Sequence, residues 1–230
     1  MNNADLSKTD KEALKTLYRM TGDGKDAHTG DLAERLNLSP GTVSATIKRL
    51  DERNLVDHKR YRGVVLTKRG RRAAIAAIRR HRIVERFLAD MLGYAWNEAD
   101  RLAGDFEHDL PQEVEERLFV ALDRPQTCPH GFPIPAPDDA ELPLMPSLYA
   151  LEPGDVAIVA LSGSMAADVV SFLENLGLRP GVRVEVREKH PFDGPLVVRV
   201  EGQDRTVGEK VASQIYVQKG AEVGMRSVQR

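Results

Sequence analysis

Proline placement divides this 230-residue chain into two parts of different character. Seven of its 13 prolines lie between Pro125 and Pro146. Proline removes a backbone hydrogen-bond donor and clashes with the preceding helical turn, so this stretch cannot continue a helix or join a central strand. The sequence therefore predicts a linker between a helical N-terminal part and a C-terminal part made mostly of short apolar strands.

The N-terminal part carries the helix signals of a winged helix-turn-helix. A capping pattern begins at Ser7, the pair Ser39-Pro40 combines an N-cap with a first-turn proline, and Thr67 caps a long helix. Two short apolar runs before Thr67 predict a hairpin. We expect a mainly α fold with small β elements, divided into a winged helix-turn-helix (1–74), a helical domain (75–124), a proline-rich linker (125–147) and a small barrel-like β domain (148–230).

Charge is distributed unevenly along the chain, although the formal net charge is only −2. Residues 1–80 contain 18 Lys and Arg against 10 Asp and Glu, a balance of +8, whereas residues 81–150 contain 5 against 14, a balance of −9. The first stretch predicts an anionic partner and the second a cationic one. Basic charge on a winged-helix element order favours double-stranded DNA as the anionic partner.

The third predicted helix would enter the major groove with its first turn. Its first turn has no Asn, Gln or Arg for a bidentate base contact, so we expect thymine-methyl contacts, shape readout and a steep salt dependence. The alternative is a solvated basic surface. The candidate DNA-contacting residues are Ser39, Pro40, Gly41, Thr42, Ser44, Ala45, Lys48 and Arg49 on this helix, and Arg60 and Arg62 at the hairpin tip.

Metal-ligating side chains recur at helical spacing, mostly in the acidic middle part. Carboxylates and imidazoles that converge from several helices are typical of a divalent transition-metal site. Each residue also has a purely structural explanation, such as a surface histidine or an ion pair with an arginine of its own helix. The candidates found by spacing are His81, Glu85, Asp100, Glu107 and His108, and Glu12 is added because it projects from the first predicted helix beside its apolar face.

Cys128 is the single cysteine, so it cannot form an internal disulfide, which suits a reducing compartment. Its neighbour His130 makes Cys-Pro-His a candidate zinc or redox motif, but two donors do not complete a site, and we favour a structural loop. The N-terminus lacks a signal-peptide core, and no apolar run approaches a membrane span. We therefore expect a cytoplasmic protein without a membrane partner.

Several stretches together resemble the diphtheria-toxin-repressor family of metal-dependent regulators over nearly the whole chain. The most specific of them is the series formed by His81, Glu85 and Glu107-His108. The C-terminal part is similar to the SH3-like FeoA domain of longer family members. The matching stretches are Leu32–Ser44, Leu66–Gly70, His81–Leu88, Phe106–Leu110, Cys128–Gly131, Asn175–Gly181 and Pro191–Pro195.

This resemblance implies a homodimeric repressor, dimerised through its middle helices, that binds Mn(II) or Fe(II) as co-repressor and silences metal-uptake genes. A two-fold dimer would read a palindromic operator. By position, the resemblance assigns Glu12, Glu107 and His108 to a primary metal site. It assigns His81, Glu85 and Asp100 to a neighbouring site, with Asp168 as a further donor from the C-terminal part.

This chain departs from the family pattern at two ligand positions. Where relatives carry a cysteine or glutamate ligand it has Gly104, so Asp105, a backbone carbonyl or water must substitute. Where iron sensors have a methionine ligand it has Glu12. The remaining oxygen and imidazole donors favour Mn(II), with Fe(II) as the second choice.

Two other functions compete with a metal-dependent repressor. A winged-helix regulator with an organic effector would use the acidic stripe only for ion pairing and solubility. A metallohydrolase could also hold a metal with helix-spaced histidines and carboxylates. The chain has no His-Glu-x-x-His motif and no Gly-rich phosphate loop, so we do not expect an enzyme.

Overall fold

The computed structural model describes residues 6–22, 26–59, 63–161 and 165–219. Their contacts divide the chain into two compact units. The first unit comprises Met1–Tyr94, Ala99–Gln126 and Pro133–Leu142, and the second comprises Ala95–Glu98, Thr127–Phe132 and Pro143–Arg230. The four-part division predicted from the sequence stays a prediction.

Three helices and a hairpin open the chain, in the element order of a winged helix-turn-helix. They are α1 (Lys8–Met20), α2 (Thr29–Leu36), α3 (Pro40–Glu52), β1 (Val56–Lys59) and β2 (Gly63–Leu66), with β1 and β2 antiparallel. Three further helices follow: α4 (Lys68–Asp90), α5 (Trp96–Phe106) and α6 (Gln112–Ala121). The predicted helical character of this part is confirmed.

Side-chain caps fix where these helices begin. Ser7 Oγ accepts from the backbone N–H of Asp10 (3.2 Å), and the Asp10 carboxylate accepts from the N–H of Ser7 (3.1 Å), which completes a capping box. Ser39 Oγ accepts from the N–H of Thr42 (3.1 Å) and starts α3. Thr67 starts α4 in the same way. The helix starts predicted at Ser7, Ser39 and Thr67 are confirmed.

Apolar residues at helical spacing form the core beneath the hairpin. Leu14 and Leu17 of α1 and Ile47 and Leu50 of α3 are fully buried in one cluster, which extends to Ala74 of α4. α1 and α3 therefore belong to one packed body, and burial of such side chains is the main stabilising contribution to it.

Hydrogen bonds hold the later part of the proline-rich stretch within the first unit. Arg79 Nη1 donates to the carbonyl of Pro135 (2.7 Å), and Arg82 donates to the carbonyl of Pro133. The hydroxyl of Tyr18 accepts from the N–H of Leu142 (2.8 Å). Residues 133–142 are thus fixed to this unit by hydrogen bonds to α1 and α4.

An antiparallel sheet organises the second unit. Its strands are β3 (Val156–Ala160), β4 (Arg183–Lys189), β5 (Leu196–Val200), β6 (Gln203–Val207) and β7 (Tyr216–Lys219), in the order β6-β5-β4-β3-β7. A 3-10 helix (Leu148–Ala150), α7 (Ala167–Asn175) and α8 (Glu209–Ala212) accompany the sheet. β6 and β7 are not paired with each other in the described residues, so the closed barrel stays a prediction.

The Cys128 loop is an ordered turn of the second unit. The N–H of Cys128 donates to the carbonyl of Phe132 (2.9 Å), and Cys128 and His130 are buried. Gly131 has φ +87°, and a Cβ there would lie 2.8 Å from the carbonyl oxygen of Val159.

Within the described residues, no helix has the length and apolar character needed to cross a membrane.

Candidate metal centre and DNA-binding face

Two groups of metal-ligating side chains form within the first unit. Glu12 of α1 meets Glu107 and His108, which directly follow α5; we call these three residues the first donor group. The second donor group consists of His81 and Glu85 of α4 and Asp100 of α5. Within each group the candidate ligand atoms lie within 4.8 Å of one another. The structure thus brings together the five candidates selected by helical spacing and Glu12 from the first helix.

Glu107 connects the two donor groups electrostatically. Its side chain is only 2% exposed, its Oε1 accepts from Lys15 Nζ (2.7 Å), and its Oε2 lies 2.9 Å from His81 Nδ1. Burial alone would raise the pKa of Glu107, but the hydrogen bond and charge of His81, together with Lys15, lower it to about 2. Glu107 is therefore ionised at neutral pH.

His108 is the member of the first donor group whose side chain makes no hydrogen bond within the described residues. Both of its ring nitrogens are buried and have no hydrogen-bond partner among the described residues. Its Nε2 lies 3.9 Å from Glu12 Oε1, and Lys11 Nζ holds its backbone carbonyl at 2.9 Å. Burial lowers the pKa of His108, which favours the neutral imidazole that metals bind.

His81 is held between carboxylates on both sides of its ring. Its Nε2 lies 3.2 Å from Asp100 Oδ1 and 3.3 Å from Glu85 Oε1, opposite the Glu107 contact at Nδ1. Burial by itself would lower the pKa of His81, but hydrogen bonds to Asp100, Glu107 and Glu85 raise it well above the ordinary value. We therefore describe His81 as an imidazolium cation.

The charge balance of this region fits a divalent ion. Four carboxylates (Glu12, Glu85, Asp100 and Glu107) face two cations (Lys15 and His81), which leaves these six side chains with two negative charges. The donor atoms are carboxylate oxygens and imidazole nitrogens, which suit Mn(II) and Fe(II). An imidazole whose buried ring nitrogens make no hydrogen bond among the described residues, beside two carboxylates, matches a metal ligand better than a packing residue.

Two predicted metal residues lie outside both donor groups. Asp105 is 68% exposed and pairs with Lys8 (2.7 Å), and Asp168 is exposed in the second unit, where its Oδ1 accepts from the N–H of Val169. A Cβ added at Gly104 would meet nothing within 4 Å. The side chain of Asp105 is therefore not grouped with the donors. It does not replace the ligand side chain that is missing at Gly104.

Two charged residues of α1 were missed from the sequence. Lys15 is 3% exposed, and its ammonium joins Glu12 Oε1 (2.9 Å) to Glu107 Oε1 (2.7 Å). Asp10, 1% exposed, binds Arg49 of α3, with Nη2 of Arg49 2.6 Å from Oδ1. The signal in the sequence was the spacing of Lys15 three residues after Glu12, which alone does not separate a surface pair from a buried one.

The first turns of α3 present an exposed, uncharged face. Arg49, whose predicted phosphate contact stays a prediction, is bound to Asp10 through Nε (3.0 Å) and Nη2 and reaches Thr46 Oγ1 (3.3 Å). The predicted hairpin-tip residues Arg60 and Arg62 lie outside the described residues. The remaining predicted DNA-contacting residues are all exposed: Ser39, Pro40, Gly41, Thr42, Ser44, Ala45 and Lys48.

Known proteins align with this chain over nearly its whole length. The iron-dependent repressor IdeR of Mycobacterium tuberculosis (strain ATCC 25618 / H37Rv) is 32% identical over 228 residues, which span 94% of this chain and 99% of that protein. This chain belongs to the iron-dependent repressor family. The diphtheria toxin repressor of Corynebacterium diphtheriae (strain ATCC 700971 / NCTC 13129 / Biotype gravis), a second such relative, is 30% identical over 226 residues, 94% of this chain and 99% of that protein.

Family models divide this repressor chain into three matching regions. The iron-dependent repressor N-terminal DNA binding domain matches residues 5–64, and the metal binding and dimerisation domain of the same family matches residues 67–136. The FeoA domain matches residues 147–219. The predicted family and the predicted FeoA domain are therefore confirmed.

Solved structures of manganese regulators share the fold of this repressor. A manganese-dependent transcriptional repressor in complex with manganese superposes with a TM-score of 0.77 at 33% identity, covering 91% of this chain and 99% of the other. The manganese regulator SloR gives a TM-score of 0.75 at 27% identity, covering 91% and 98%. The predicted class of function, metal-dependent transcriptional repression, is confirmed at the level of the family. These relatives are transcriptional repressors, a class of regulators and not of enzymes.

Proposed function

We propose that this chain represses transcription as a homodimer that binds DNA when Mn(II) or Fe(II) occupies the first donor group. The observation that carries the proposal is the convergence of Glu12, Glu107 and His108, in which both ring nitrogens of His108 are buried without a hydrogen bond among the described residues. A divalent ion held by these residues would supply a cross-link between α1 and the segment that follows α5. The first donor group offers only carboxylate oxygens and imidazole nitrogens, which supports Mn(II) before Fe(II).

Residues of α1 and α3 connect that cross-link to the DNA-binding face. Asp10 lies two residues before Glu12 on α1 and binds Arg49 of α3, while Leu14 and Ile47 share the buried core. Because α1 and α3 belong to one packed body, fixing α1 against the segment after α5 also fixes the direction in which α3 points. Arg49 is therefore assigned a positioning role and not a phosphate contact.

The exposed face of α3 is the proposed DNA reader. In a two-fold dimer, two copies of α3 about 34 Å apart would reach half-sites one helical turn apart on a palindromic operator. Small side chains such as Ala45 favour methyl contacts and shape readout. The second unit is assigned as an SH3-like FeoA-type domain on its match over residues 147–219.

The test of this proposal is DNA binding measured with and without metal. Duplexes selected from a random pool in the presence of Mn(II) serve as the probe, and mobility shifts compare Mn(II), Fe(II), Zn(II) and a chelator at fixed ionic strength. We expect Mn(II) to tighten binding of the selected duplex about 5- to 150-fold over the chelator, the usual range for coupled sites. Equal affinity in Mn(II) and in chelator would reject metal-dependent repression.

The positioning role of Arg49 has a separate test with a matched control. Arg49→Met leaves Asp10 buried without its guanidinium partner, so we expect about tenfold weaker binding of the duplex in Mn(II) with an unchanged salt slope. Lys48→Met removes an exposed charge from the same helix, so the salt slope should fall by about 1. A reduced salt slope in Arg49→Met would show that Arg49 contacts phosphate and would overturn its positioning role.

A further inference from the structure

A lysine ammonium bridges the same two carboxylates that the proposed metal would bridge. Lys15 Nζ lies 2.9 Å from Glu12 Oε1 and 2.7 Å from Glu107 Oε1, and its side chain is 3% exposed. Lys15 belongs to α1, and Glu107 follows α5. The ammonium therefore already joins α1 to the segment after α5 through the carboxylates of the first donor group.

We propose that Lys15 is a built-in counter-cation that competes with the divalent ion for Glu12 and Glu107, and so sets the metal concentration at which this repressor responds. This inference rests on the proposed function, since it concerns the same donor group. It makes Lys15 a residue that determines metal affinity without itself being a ligand.

The two oxygens of Glu107 are not equally available to a metal. Oε2 is bound by His81, which is also held by Asp100 and Glu85, so that contact is fixed by three carboxylates around one ring. Oε1 is bound by Lys15, whose ammonium sits on a flexible four-carbon stem. Of the two cations on Glu107, Lys15 is therefore the one that can withdraw.

Like charges make the competition between Lys15 and a divalent ion unavoidable. An ion bound to Glu12 and Glu107 would lie within a few ångströms of the ammonium, and this repulsion weakens metal binding. Conversely, the ammonium relieves the repulsion between the two carboxylates. Lys15 thus supports the α1 contact at low metal concentration and opposes metal binding as the concentration rises.

Calorimetric titration of the full chain with Mn(II) tests the competition directly. Lys15→Met removes the charge and keeps most of the stem, so we expect the Mn(II) dissociation constant to fall by about tenfold or more at fixed pH and ionic strength. Lys8→Met is the matched control, because Lys8 also joins α1 to α5, through Asp105 at 2.7 Å, but at the exposed surface. We expect Lys8→Met to bind Mn(II) within about twofold of the wild type, as for a screened surface pair.

Thermal unfolding supplies a readout that does not depend on DNA. In chelator, Lys15→Met should unfold at a lower temperature than the wild type, because Glu12 and Glu107 lose their shared cation. Saturating Mn(II) should then raise its unfolding temperature more than that of the wild type. If Lys15→Met does not fold, Lys15→Gln keeps a hydrogen-bond donor without the charge and should show the same two shifts.

The outcomes separate this inference from the proposed function. Tighter Mn(II) binding by Lys15→Met or Lys15→Gln supports the competition. Wild-type binding with equal or weaker binding in both variants overturns the competition and leaves metal dependence intact. Mn(II) binding by the two variants but not by the wild type supports the competition and overturns metal dependence of the wild type. If neither the wild type nor either variant binds Mn(II), both the competition and the metal dependence are overturned.

Discussion

The two donor groups use the same kinds of side chain, yet they differ in what balances their carboxylates. In the second group a protonated His81 lies between Glu85 and Asp100 and also contacts Glu107. In the first group the ring nitrogens of His108 make no hydrogen bond among the described residues, burial lowers the pKa of His108, and Lys15 supplies the positive charge.

In the first group an imidazole nitrogen is available to a metal, whereas in the second group both ring nitrogens already contact carboxylates. His108 offers a lone pair without losing a proton, whereas a metal on His81 Nε2 has to replace a proton that two carboxylates stabilise. We therefore expect the first group to respond to metal and the second to hold α4 and α5 together without one. Residue type alone did not distinguish them, and hydrogen-bond partners do.

The largest expected effect is the loss of the cation in the second group. His81→Gln leaves Glu85, Asp100 and Glu107 facing one another without the imidazolium, so the free energy of unfolding in chelator should fall by about 3 kcal/mol. Denaturant titration measures it. His58→Gln, at an exposed position of β1, is the control and should change stability by less than about 0.5 kcal/mol.

An unchanged stability of His81→Gln would contradict the comparison. It would mean that the three carboxylates do not depend on His81 for their charge balance and that the second group is as open to metal as the first.

Removal of the His108 imidazole should affect Mn(II) affinity strongly and stability in chelator weakly, the reverse of the effects expected for His81→Gln. Loss of an outer-shell partner alone costs roughly 10- to 100-fold in metal affinity, so loss of the ligand in His108→Ala should weaken Mn(II) binding at least about 100-fold. Because the ring nitrogens make no hydrogen bond within the described residues, stability in chelator should change less than in His81→Gln. Calorimetry measures the first effect and denaturant titration the second.

His190→Ala is the matched control for this loss of imidazole. His190 is half-exposed beside Glu188 and should leave Mn(II) binding unchanged. If His108→Ala binds Mn(II) as tightly as His190→Ala does, His108 is not a ligand and the first group loses its distinguishing feature.

The smallest effect concerns the helix that leads to the first group. A Cβ at Gly104 meets nothing within 4 Å, so Gly104→Ala should stabilise the chain by about 0.5–1 kcal/mol and leave Mn(II) affinity unchanged. Gly70→Ala is the control, since its Cβ would lie 1.7 Å from the carbonyl oxygen of Leu55 and should destabilise by about 1–3 kcal/mol. A destabilised Gly104→Ala would show that this position is not open.

Local signals made much of the fold predictable from the sequence. Ser7, Ser39 and Thr67 cap helices through backbone groups three residues away, so the sequence alone carries that information. β6 carries no such local signal, because its residues, Gln203–Val207, are mostly polar and exposed, and it is defined by pairing with β5. Five of the six donors were found for the same local reason, their helical spacing, and Glu12 was found from its place beside the apolar face of α1.

What balances the donors could not be predicted, because it depends on pairs that are distant in sequence. Lys15 and Glu107 are 92 positions apart, and Asp10 and Arg49 are 39 apart. A buried lysine and a buried aspartate look like ordinary surface charges until the fold brings their partners to them. The proposed metal-binding group is thus visible in the sequence, whereas the lysine that bridges its carboxylates and its link to α3 are not.

A crystal structure of the full chain grown with Mn(II), with the ion located by its anomalous scattering, tests the central claim most directly. We predict one manganese about 2.0–2.3 Å from donor atoms of Glu12, Glu107 and His108, with Lys15 withdrawn from both carboxylates. Manganese bound elsewhere, with Lys15 still joining Glu12 to Glu107, would contradict it.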